Sequence, residues 1–260
     1  MPAPEAPTIA TDSPDAMSND TSCTIVSEPS GLLTRFVRFW ALRTLSRIIG
    51  ACALSIAFWV IALQDAAAAD RTILVFGDSL SAAYGLKPEQ GWVALLNNRL
   101  RTQGYGYNVV NASISGETTS GGLQRLPRSL ELNKPQILIL ELGANDALRG
   151  LPLANAKDNL SKMVELGQST GARVLLVGMR IPPNYGPKYT ADFVRMYTDL
   201  SAQYRAPLVP FLLQSVALDS AKMQDDGLHP NSLGEPAVLD TLWPQLVPLL
   251  KKDRRSLSEQ

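Results

Sequence analysis

Short apolar segments alternate with longer segments of helical periodicity along residues 70–260. The apolar segments are rich in Val, Ile and Leu, and they predict five strands, at residues 72–76, 107–110, 136–141, 173–177 and 207–211. Because a helical segment follows each of the first four, successive strands are expected to run parallel, with helices on both faces of the sheet. The pattern therefore predicts one α/β domain built on a parallel five-stranded sheet.

The helical segments have apolar residues on one face and span residues 88–103, 118–132, 154–169, 189–204 and 233–250. Pro127 lies inside the second of them, and Pro236, Pro244 and Pro248 lie inside the last. Because proline removes a backbone donor and its ring clashes with the preceding turn, we expect Pro127 to interrupt its helix and the three later prolines to bend or interrupt theirs.

The residues before this domain have a different composition. Residues 1–34 are rich in Pro, Ser, Thr, Asp and Ala and predict a disordered extension. Residues 35–69 contain four arginines, then an uncharged apolar run at 48–63, then small residues up to Ala69. These are the parts of a secretory signal peptide, with cleavage expected near Ala69. An uncleaved membrane anchor is the alternative, although the apolar run is short for a membrane span.

The counts of a few residue types exclude several functions. The two cysteines, Cys23 and Cys52, precede the domain, so the domain has neither a disulfide nor a thiol nucleophile. The single histidine, His229, excludes a zinc site built from several histidines. Lys and Arg total 24, as do Asp and Glu, and no basic tract is present, so a nucleic-acid partner is not expected.

Four polar segments follow predicted strands or lie in loops near them, at residues 77–81, 111–118, 143–146 and 226–230. In an open parallel sheet, ligands bind at the carboxyl ends of the strands, where such segments meet. Ser79 follows a strand and precedes a helical segment, so its N–H could lie at a helix N-terminus and stabilise an oxyanion. A serine in this position is also an ordinary helix N-cap.

His229 follows Asp226 by three residues, with Gly227 between them. A turn of this kind can bring the carboxylate to Nδ1 of the imidazole, as the third group of a catalytic triad does. Asp225 is the competing carboxylate and could instead be a solvated neighbour or a cap. Asn145 and Gly116 could supply oxyanion donors, although each residue type is also common in turns.

Residues 77–81 (GDSLS), Gly116, residues 143–146 (GAND) and residues 226–230 (DGLHP) resemble, in this order, the four blocks of the SGNH (GDSL-type) hydrolases. The resemblance covers nearly all of residues 71–250 and is strongest to the bacterial arylesterase, thioesterase I and lysophospholipase L1 branch. Glu117 stands where Asp is common in that branch, and Ala144 where a second Gly is common; neither departure removes a catalytic group.

The resemblance implies a three-layer α/β/α flavodoxin-like fold, a periplasmic or secreted monomer, no metal or organic cofactor, and activity on small acyl esters, thioesters or lysophospholipids. Contact with a membrane is expected only through the leader if it is uncleaved, in which case it would anchor the protein in the inner membrane. By the same resemblance Ser79 is the nucleophile, His229 the general base and then acid, and Asp226 its orienting partner. The implied oxyanion hole comprises the N–H groups of Ser79 and Gly116 and the side chain of Asn145. Acid is expected to inactivate such an enzyme by protonating His229.

The residues after Asn145 are a candidate wall of the acyl pocket that moves when a long chain binds. Its predicted substrate-binding residues are Ala147, Leu148, Gly150, Leu151 and Pro152. Residues 181–189 are a second candidate wall, or else a surface loop.

Two alternatives to the esterase remain at this point. One is another hydrolase on the same scaffold, such as a carbohydrate deacetylase or a peptide-ester protease. The other is a non-catalytic binding protein of the cell envelope. Nucleotide binding is excluded, because the sequence has no phosphate-binding loop motif and the glycines at 104 and 106 precede a strand rather than a helix.

Overall fold

The computed structural model describes residues 71–252. The predicted extension at 1–34 and the predicted leader at 35–69, with both cysteines, lie outside the described residues. Five parallel strands form one sheet in the order β2-β1-β3-β4-β5. The strands are β1 (Arg71–Gly77), β2 (Tyr107–Asn111), β3 (Ile137–Glu141), β4 (Arg173–Val177) and β5 (Leu208–Val209). The predicted parallel α/β sheet is therefore confirmed.

Six α-helices connect and follow the strands within the described residues. They are α1 (Trp92–Thr102), α2 (Thr119–Asn133), α3 (Ala144–Leu148), α4 (Leu153–Ser169), α5 (Pro187–Tyr204) and α6 (Glu235–Leu246). Short 3₁₀ turns cover Pro88–Gln90, Pro183–Tyr185, Ser220–Lys222 and Val247–Leu249. Helices α1 and α6 pack together as one layer, whereas α2, α4 and α5 pack side by side as the other. The sheet lies between these layers, as the α/β/α prediction requires.

The central strands are apolar on both faces because helices cover both. All five residues of β3 are buried, as are six of the seven residues of β1 and four of the five residues of β4. Near-continuous runs of Val, Ile and Leu are typical of strands in this position, whereas a strand with one solvent-exposed face would alternate apolar and polar residues. The burial of these side chains is the main source of the stability of the fold.

Proline affects two of the predicted elements differently from the expectation. Helix α2 runs without a break through Pro127, because Leu126 and Leu130 beside it are buried and hold the helix in place. Strand β5 contains only two residues, since Pro207 and Pro210 on either side of it have no N–H to donate to a ladder. The predicted interruption of α2 was therefore wrong, and the predicted length of β5 was too great.

The last predicted helix is divided into α6 and the following 3₁₀ turn. Pro236 lies in the first turn of α6, where no intrahelical donor is needed, and Pro244 lies inside it. Pro248 lies in the 3₁₀ turn that ends the helical segment. Of the described residues, none belongs to a helix that is both long and apolar enough to span a bilayer.

Strand order determines where a ligand can bind. Strand β2 lies on one side of β1 and β3 on the other, so the connections after β1 and β3 lead to different sides of the sheet. A crevice forms at the carboxyl ends of strands where the direction of winding reverses in this way. The segments that follow β1, β2 and β3 meet at that crevice.

Candidate active site

Ser79 lies two residues after the end of β1. The N–H of Ala82 donates to the carbonyl of Asp78 at 3.0 Å, which makes one helical turn around Ser79. No α-helix begins there; Ala83 has a φ of 58°, and α1 begins only at Trp92. The predicted helix N-terminus at Ser79 is thus a single turn. No acceptor among the described residues binds the N–H of Ser79, which leaves this donor available.

Three hydrogen bonds join the end of β2 and the loop after it to the end of β1 and the turn after it. Gly77 N donates to Ser113 Oγ at 3.1 Å, and Ile114 N donates to the carbonyl of Gly77 at 3.0 Å. Asn111 Nδ2 donates to the carbonyl of Ser81 at 2.7 Å. These bonds hold the loop that carries Gly116 next to the turn that carries Ser79.

Gly116 is an exposed residue of this loop, with a φ of 78° that favours glycine. Its carbonyl accepts a hydrogen bond from Arg149 Nη2 at 2.9 Å, so the loop is also tied to the end of α3. No acceptor within residues 71–252 binds its N–H. Gly116 does not line the cavity described below.

Asn145 is in the first turn of α3, after Gly143, whose φ is 118°. The next residue, Asp146, is buried, and its carboxylate accepts hydrogen bonds from the N–H and the hydroxyl of Thr119 at 2.8 and 2.6 Å. These contacts join the starts of α3 and α2. The side-chain Nδ2 of Asn145 donates to Oδ2 of Asp78 at 3.0 Å, which brings the amide close to the Ser79 turn.

His229 and Asp226 belong to one turn, in which Gly227 has a φ of 65°. The turn is closed by hydrogen bonds from Gln224 N to the carbonyl of His229 at 2.7 Å and from Gly227 N to the carbonyl of Gln224 at 2.9 Å. Oδ1 of Asp226 accepts from the N–H groups of Leu228 and His229 at 2.9 and 3.0 Å. The turn therefore orients the Asp226 carboxylate with its own backbone.

The side chains of the two segments meet directly. Nδ1 of His229 lies 2.6 Å from Oδ2 of Asp226, and Nε2 lies 2.8 Å from Oγ of Ser79. With the proton on Nδ1, Nε2 is free to accept the hydroxyl proton of Ser79. Asp225 is exposed, and it is Asp226 that contacts the imidazole. The structure thus brings Ser79, His229 and Asp226 into one chain of hydrogen bonds.

Asp226 stays ionised in this arrangement. Partial burial raises the pKa of its carboxyl. Hydrogen bonds from Leu228 N and from the side chain and backbone of His229 have the opposite and larger combined effect, so the pKa lies below the ordinary value. An ionised carboxylate at Nδ1 stabilises the imidazolium that forms when His229 takes a proton.

Two further carboxyl groups lie behind Ser79, and both are buried. Burial raises the pKa of Asp78 to about 6, against the opposing effects of a hydrogen bond from Leu80 N and the charge of His229. Burial, and then the charge of Asp78, raise the pKa of Glu141 well above its ordinary value. The sequence analysis did not single out either residue, although Glu141 ends a wholly apolar strand, which is an unusual position for an acid.

Tyr84 is a third residue that the sequence analysis missed. Its ring lies 4.6 Å from the imidazole of His229, centroid to centroid, with the planes tilted by 38°. Its carbonyl accepts a hydrogen bond from Gln224 Nε2 at 2.8 Å, and Gln224 belongs to the His229 turn. Tyr84 therefore packs against the imidazole from the Ser79 side of the site.

A cavity of about 770 Å³ opens next to Ser79, Asn145 and His229. Most of the remaining lining is apolar, and it comes from the segments after β3, β4 and β5 and from the loop before the His229 turn. Its apolar residues include Leu148, Met179, Ile181, Pro182, Phe211, Leu213, Leu218 and Met223. A pocket of this size and polarity suits an apolar group attached to a polar reacting centre.

The predicted substrate-binding residues are in different places. Leu148 lines the cavity, as does the start of the second candidate wall at Ile181. Ala147 is fully buried in the core, and the following residues 150–152 are exposed and outside the cavity lining. Across residues 71–252, no group of three or more His, Cys, Asp or Glu side chains is arranged to hold a metal ion.

Comparisons with known proteins agree with this geometry. Residues 75–236 match the family described as GDSL-like lipase/acylhydrolase, which is more than half of the chain. The chain belongs to this family. The matched region begins inside β1 and ends in the first turn of α6, so it includes Ser79, Asn145, Asp226 and His229.

Curated members of this GDSL-like family are closely similar over most of their length. The chain is 50% identical over 191 residues to an esterase named TesA from Pseudomonas aeruginosa, covering 74% of this chain and 94% of that protein. It is 40% identical over 196 residues to the thioesterase 1/protease 1/lysophospholipase L1 of Escherichia coli, covering 75% of this chain and 92% of that protein.

Solved structures of GDSL-like relatives share the fold. The crystal structure of TesA has a TM-score of 0.68 at 50% identity and covers 69% of this chain and all of that one. A psychrotrophic esterase from Pseudoalteromonas, inhibited by monoethylphosphonate, has a TM-score of 0.66 at 42% identity and covers 69% and 98% of the two chains. Membership of this family makes the chain a carboxylic ester hydrolase.

Proposed function

We propose that the chain hydrolyses acyl esters and thioesters through a covalent acyl-enzyme on Ser79. The observation that carries this proposal is the chain of hydrogen bonds from Ser79 Oγ to His229 and from His229 to Asp226, at 2.8 and 2.6 Å. A nucleophile bound to a base, and a base bound to an orienting carboxylate, are the parts that acyl transfer to serine needs.

In the first step Ser79 Oγ attacks the acyl carbonyl while Nε2 of His229 takes the hydroxyl proton. The Asp226 carboxylate stabilises the resulting imidazolium through Nδ1. The N–H groups of Ser79 and Gly116 and the Nδ2 amide of Asn145 are the proposed donors to the oxyanion. The loss of one such donor costs about 100- to 1000-fold in turnover.

The tetrahedral intermediate then collapses. His229 returns its proton to the departing alcohol or thiol, and the acyl group stays on Ser79. Water next attacks the acyl-enzyme while His229 again acts as base, and the acid is released as Ser79 regains its proton. The mechanism needs only side chains and backbone donors that the described residues supply.

The cavity favours an acyl chain rather than an acetyl group. Its apolar residues include Leu148 from α3, Met179 from the segment after β4 and Leu213 from the segment after β5. An acetylated sugar would leave most of this apolar surface without a partner, whereas an acyl chain would bury it. We therefore place the substrates among fatty acyl esters, thioesters and lysophospholipids, in keeping with the relatives' names.

Hydrolysis of p-nitrophenyl esters from acetate to palmitate by the full chain tests the function. Ser79→Ala is expected to lower kcat by about 10⁴-fold or more. The matched control is Ser120→Ala, an exposed serine at the start of α2. Equal activity in the parent and the Ser79→Ala protein would exclude Ser79 as the nucleophile. A phosphonate ester is expected to add mass to the parent but not to that variant.

We further propose that residues 35–69 direct export to the periplasm, or secretion, and are then removed near Ala69. The support is the order of arginines, apolar run and small residues in the sequence. Expression of the full gene with fractionation of the cells and N-terminal sequencing tests this. A start near Asp70 in the periplasmic fraction is expected; an intact leader in the membrane fraction would instead indicate an anchored enzyme.

A further inference from the structure

Two buried carboxyl groups behind Ser79 have no task in the acyl-transfer steps above. Glu141 is fully buried at the end of β3, and Asp78, which precedes Ser79, is 1% exposed. Within residues 71–252, neither forms an ion pair with Lys or Arg. Buried charges without a partner are costly, so the pair is not expected to carry two negative charges.

The two oxygens of Glu141 have different surroundings. Oε2 accepts hydrogen bonds from Asp78 N at 3.2 Å and from Ser81 Oγ at 2.8 Å. Oε1 is buried, and no donor among the described residues reaches it. The fit is close, since a Cβ atom on Gly77 would lie 2.5 Å from Oε2. An oxygen that is buried without a donor is the expected position of a carboxyl proton.

Both oxygens of Asp78, by contrast, have donors. Oδ1 accepts from Leu80 N at 3.1 Å, and Oδ2 accepts from Asn145 Nδ2 at 3.0 Å. The carboxyl groups of Asp78 and Glu141 are close enough for each to shift the pKa of the other, and a hydrogen bond between them requires a proton on one of the two. Because the oxygen without a donor belongs to Glu141, the proton belongs there.

The other titratable groups near the pair favour the same assignment. Tyr197 and His229 interact electrostatically with it. The hydroxyl of Tyr197 donates to the carbonyl of Leu142 at 2.9 Å and is not available to Glu141. Burial and the charge of Asp78 raise the pKa of Glu141 well above its ordinary value, whereas at Asp78 the rise caused by burial is opposed by Leu80 N, His229 and Asn145 and stops at about 6.

We propose that Glu141 is a positioning residue that stays protonated at neutral pH and donates a hydrogen bond to the Asp78 carboxylate. The Asp78 carboxylate in turn holds the side-chain amide of Asn145 in the oxyanion hole. The proposal rests on the proposed function. An ionised Asp78 can only accept, so it selects the NH₂ group of Asn145 and excludes its carbonyl oxygen from that contact. The second N–H of the same NH₂ group is then left for the oxyanion. A proton on Asp78 instead would permit the opposite orientation of the amide.

The protonation of Glu141 is tested by carbon-13 NMR of the glutamate carboxyl carbons in the full chain. The Glu141 signal is assigned by its absence in the Glu141→Gln protein. Its chemical shift is expected to stay at the value of a protonated carboxyl from about pH 5 to pH 7.5. Ordinary glutamates, with pKa values of ~4.3, are ionised over this range. An ionised Glu141 signal at pH 7 would overturn the proposal. This measurement needs no turnover, so it is independent of whether the hydrolase function holds.

The positioning role is tested by the kinetics of two variants with p-nitrophenyl butyrate. Glu141→Ala removes both the donor to Asp78 and the acceptor for Ser81. It is expected to lower kcat by about 100-fold with little change in KM, because the side-chain amide of Asn145 stabilises the transition state rather than the bound substrate. Glu141→Gln can still donate to Asp78 and accept from Ser81, and is expected to recover most of that loss. If Glu141→Gln is as impaired as Glu141→Ala, the neutral-donor role is wrong. If Glu141→Ala does not fold, the glutamine variant and the NMR titration still decide.

Discussion

Asp226 receives its hydrogen bonds from within its own turn. Its Oδ1 accepts from Leu228 N and His229 N, and its Oδ2 contacts His229 Nδ1. A carboxylate fixed in this way keeps the imidazole in one tautomer without help from distant elements. Asp225, one position earlier, is exposed and outside this arrangement, although its charge is the same.

Replacement of Asp226 by Asn is expected to lower kcat by about 10⁴-fold, because an amide can offer an N–H to Nδ1 and thereby stabilise the wrong tautomer. Asp225→Asn changes the net charge equally and is expected to stay close to the parent enzyme. Steady-state kinetics with one p-nitrophenyl ester compare the two. A similar loss in both variants would show that the charge of the loop, rather than the contact with His229, is what matters.

The residues of the proposed catalytic site could be singled out from the sequence, but the groups that contact them could not. A single histidine and a characteristic order of polar segments are visible in a string of letters. The link between Asp78 and Glu141 depends on the register of β1 with β3, which pairs Gly77 with Glu141. Nor does any pattern in the sequence indicate that Tyr84 packs on the imidazole.

Helix α3 carries Asn145 on a short element that depends on its neighbours. With five residues it is too short to be stable alone, so it needs external contacts. The buried Asp146 carboxylate supplies them by accepting both hydrogen bonds from Thr119 at the start of α2. The same shortness explains why the sequence analysis did not predict α3, since five residues show little periodicity.

Removal of this link is expected to affect stability and activity together. Asp146→Ala leaves the N–H and hydroxyl of Thr119 without their acceptor and is expected to lower the free energy of unfolding by about 2–3 kcal/mol. It should also lower kcat, because Asn145 lies beside it. Urea unfolding and ester hydrolysis measure the two effects. Asp158→Ala, on the exposed face of α4, is the control and should change neither; an Asp146→Ala protein as stable as the control would contradict this account.

We expect the end of α3 to set the length of the substrate that fits. Leu148 lines the cavity, whereas Leu151 is 40% exposed and lies outside the cavity lining. Leu148→Trp should fill part of the cavity and lower kcat/KM for a decanoate ester about tenfold more than for an acetate ester. Leu151→Trp is the matched control. Measurement of kcat/KM for the two esters with both variants tests this role of Leu148. A shift in chain-length preference caused by Leu151→Trp, but not by Leu148→Trp, would place the wall of the acyl pocket in residues 150–152.

At the scale of the whole molecule, the fold brings together groups that are far apart in the sequence. Ser79 and His229 are 150 positions apart, yet their side chains lie 2.8 Å from each other. Alternation of strands and helices was enough to predict the sheet and its parallel direction, because few chain topologies are compatible with that pattern. It could not predict how proline would act in α2 and β5, since burial of the neighbouring residues decides that.

Glu235 connects two helices of one layer and is expected to make the stability of the molecule depend on pH. Its Oε2 accepts from the N–H of Trp92 at 2.7 Å, which joins the start of α6 to the start of α1. Burial raises its pKa from 4.5 to about 7, against the opposing effect of that hydrogen bond. Between these two pH values the folded protein keeps a proton that the unfolded chain has lost, so the free energy of unfolding falls as pH rises through this window.

Glu235→Gln is expected to remove this pH dependence, because glutamine keeps an oxygen for Trp92 N but has no charge to bury. At pH 8 the variant should be more stable than the parent by about 1–3 kcal/mol, and at pH 4 the difference should vanish. Thermal or urea unfolding across this range measures it. Glu131→Gln, at an exposed position of α2, is the control. A difference that is the same at both pH values would show that folding does not shift the pKa of Glu235.

The shortness of β5 also protects the outer edge of the sheet. β5 pairs with β4 on one side and is the last strand in that direction. A strand arriving from another molecule would need a row of N–H and carbonyl groups, but β5 has only two residues, and Pro210, which follows Val209, has no N–H to offer. Edges of this kind are poor templates for strand-by-strand association, so the domain is expected to resist aggregation through β5 even at high concentration.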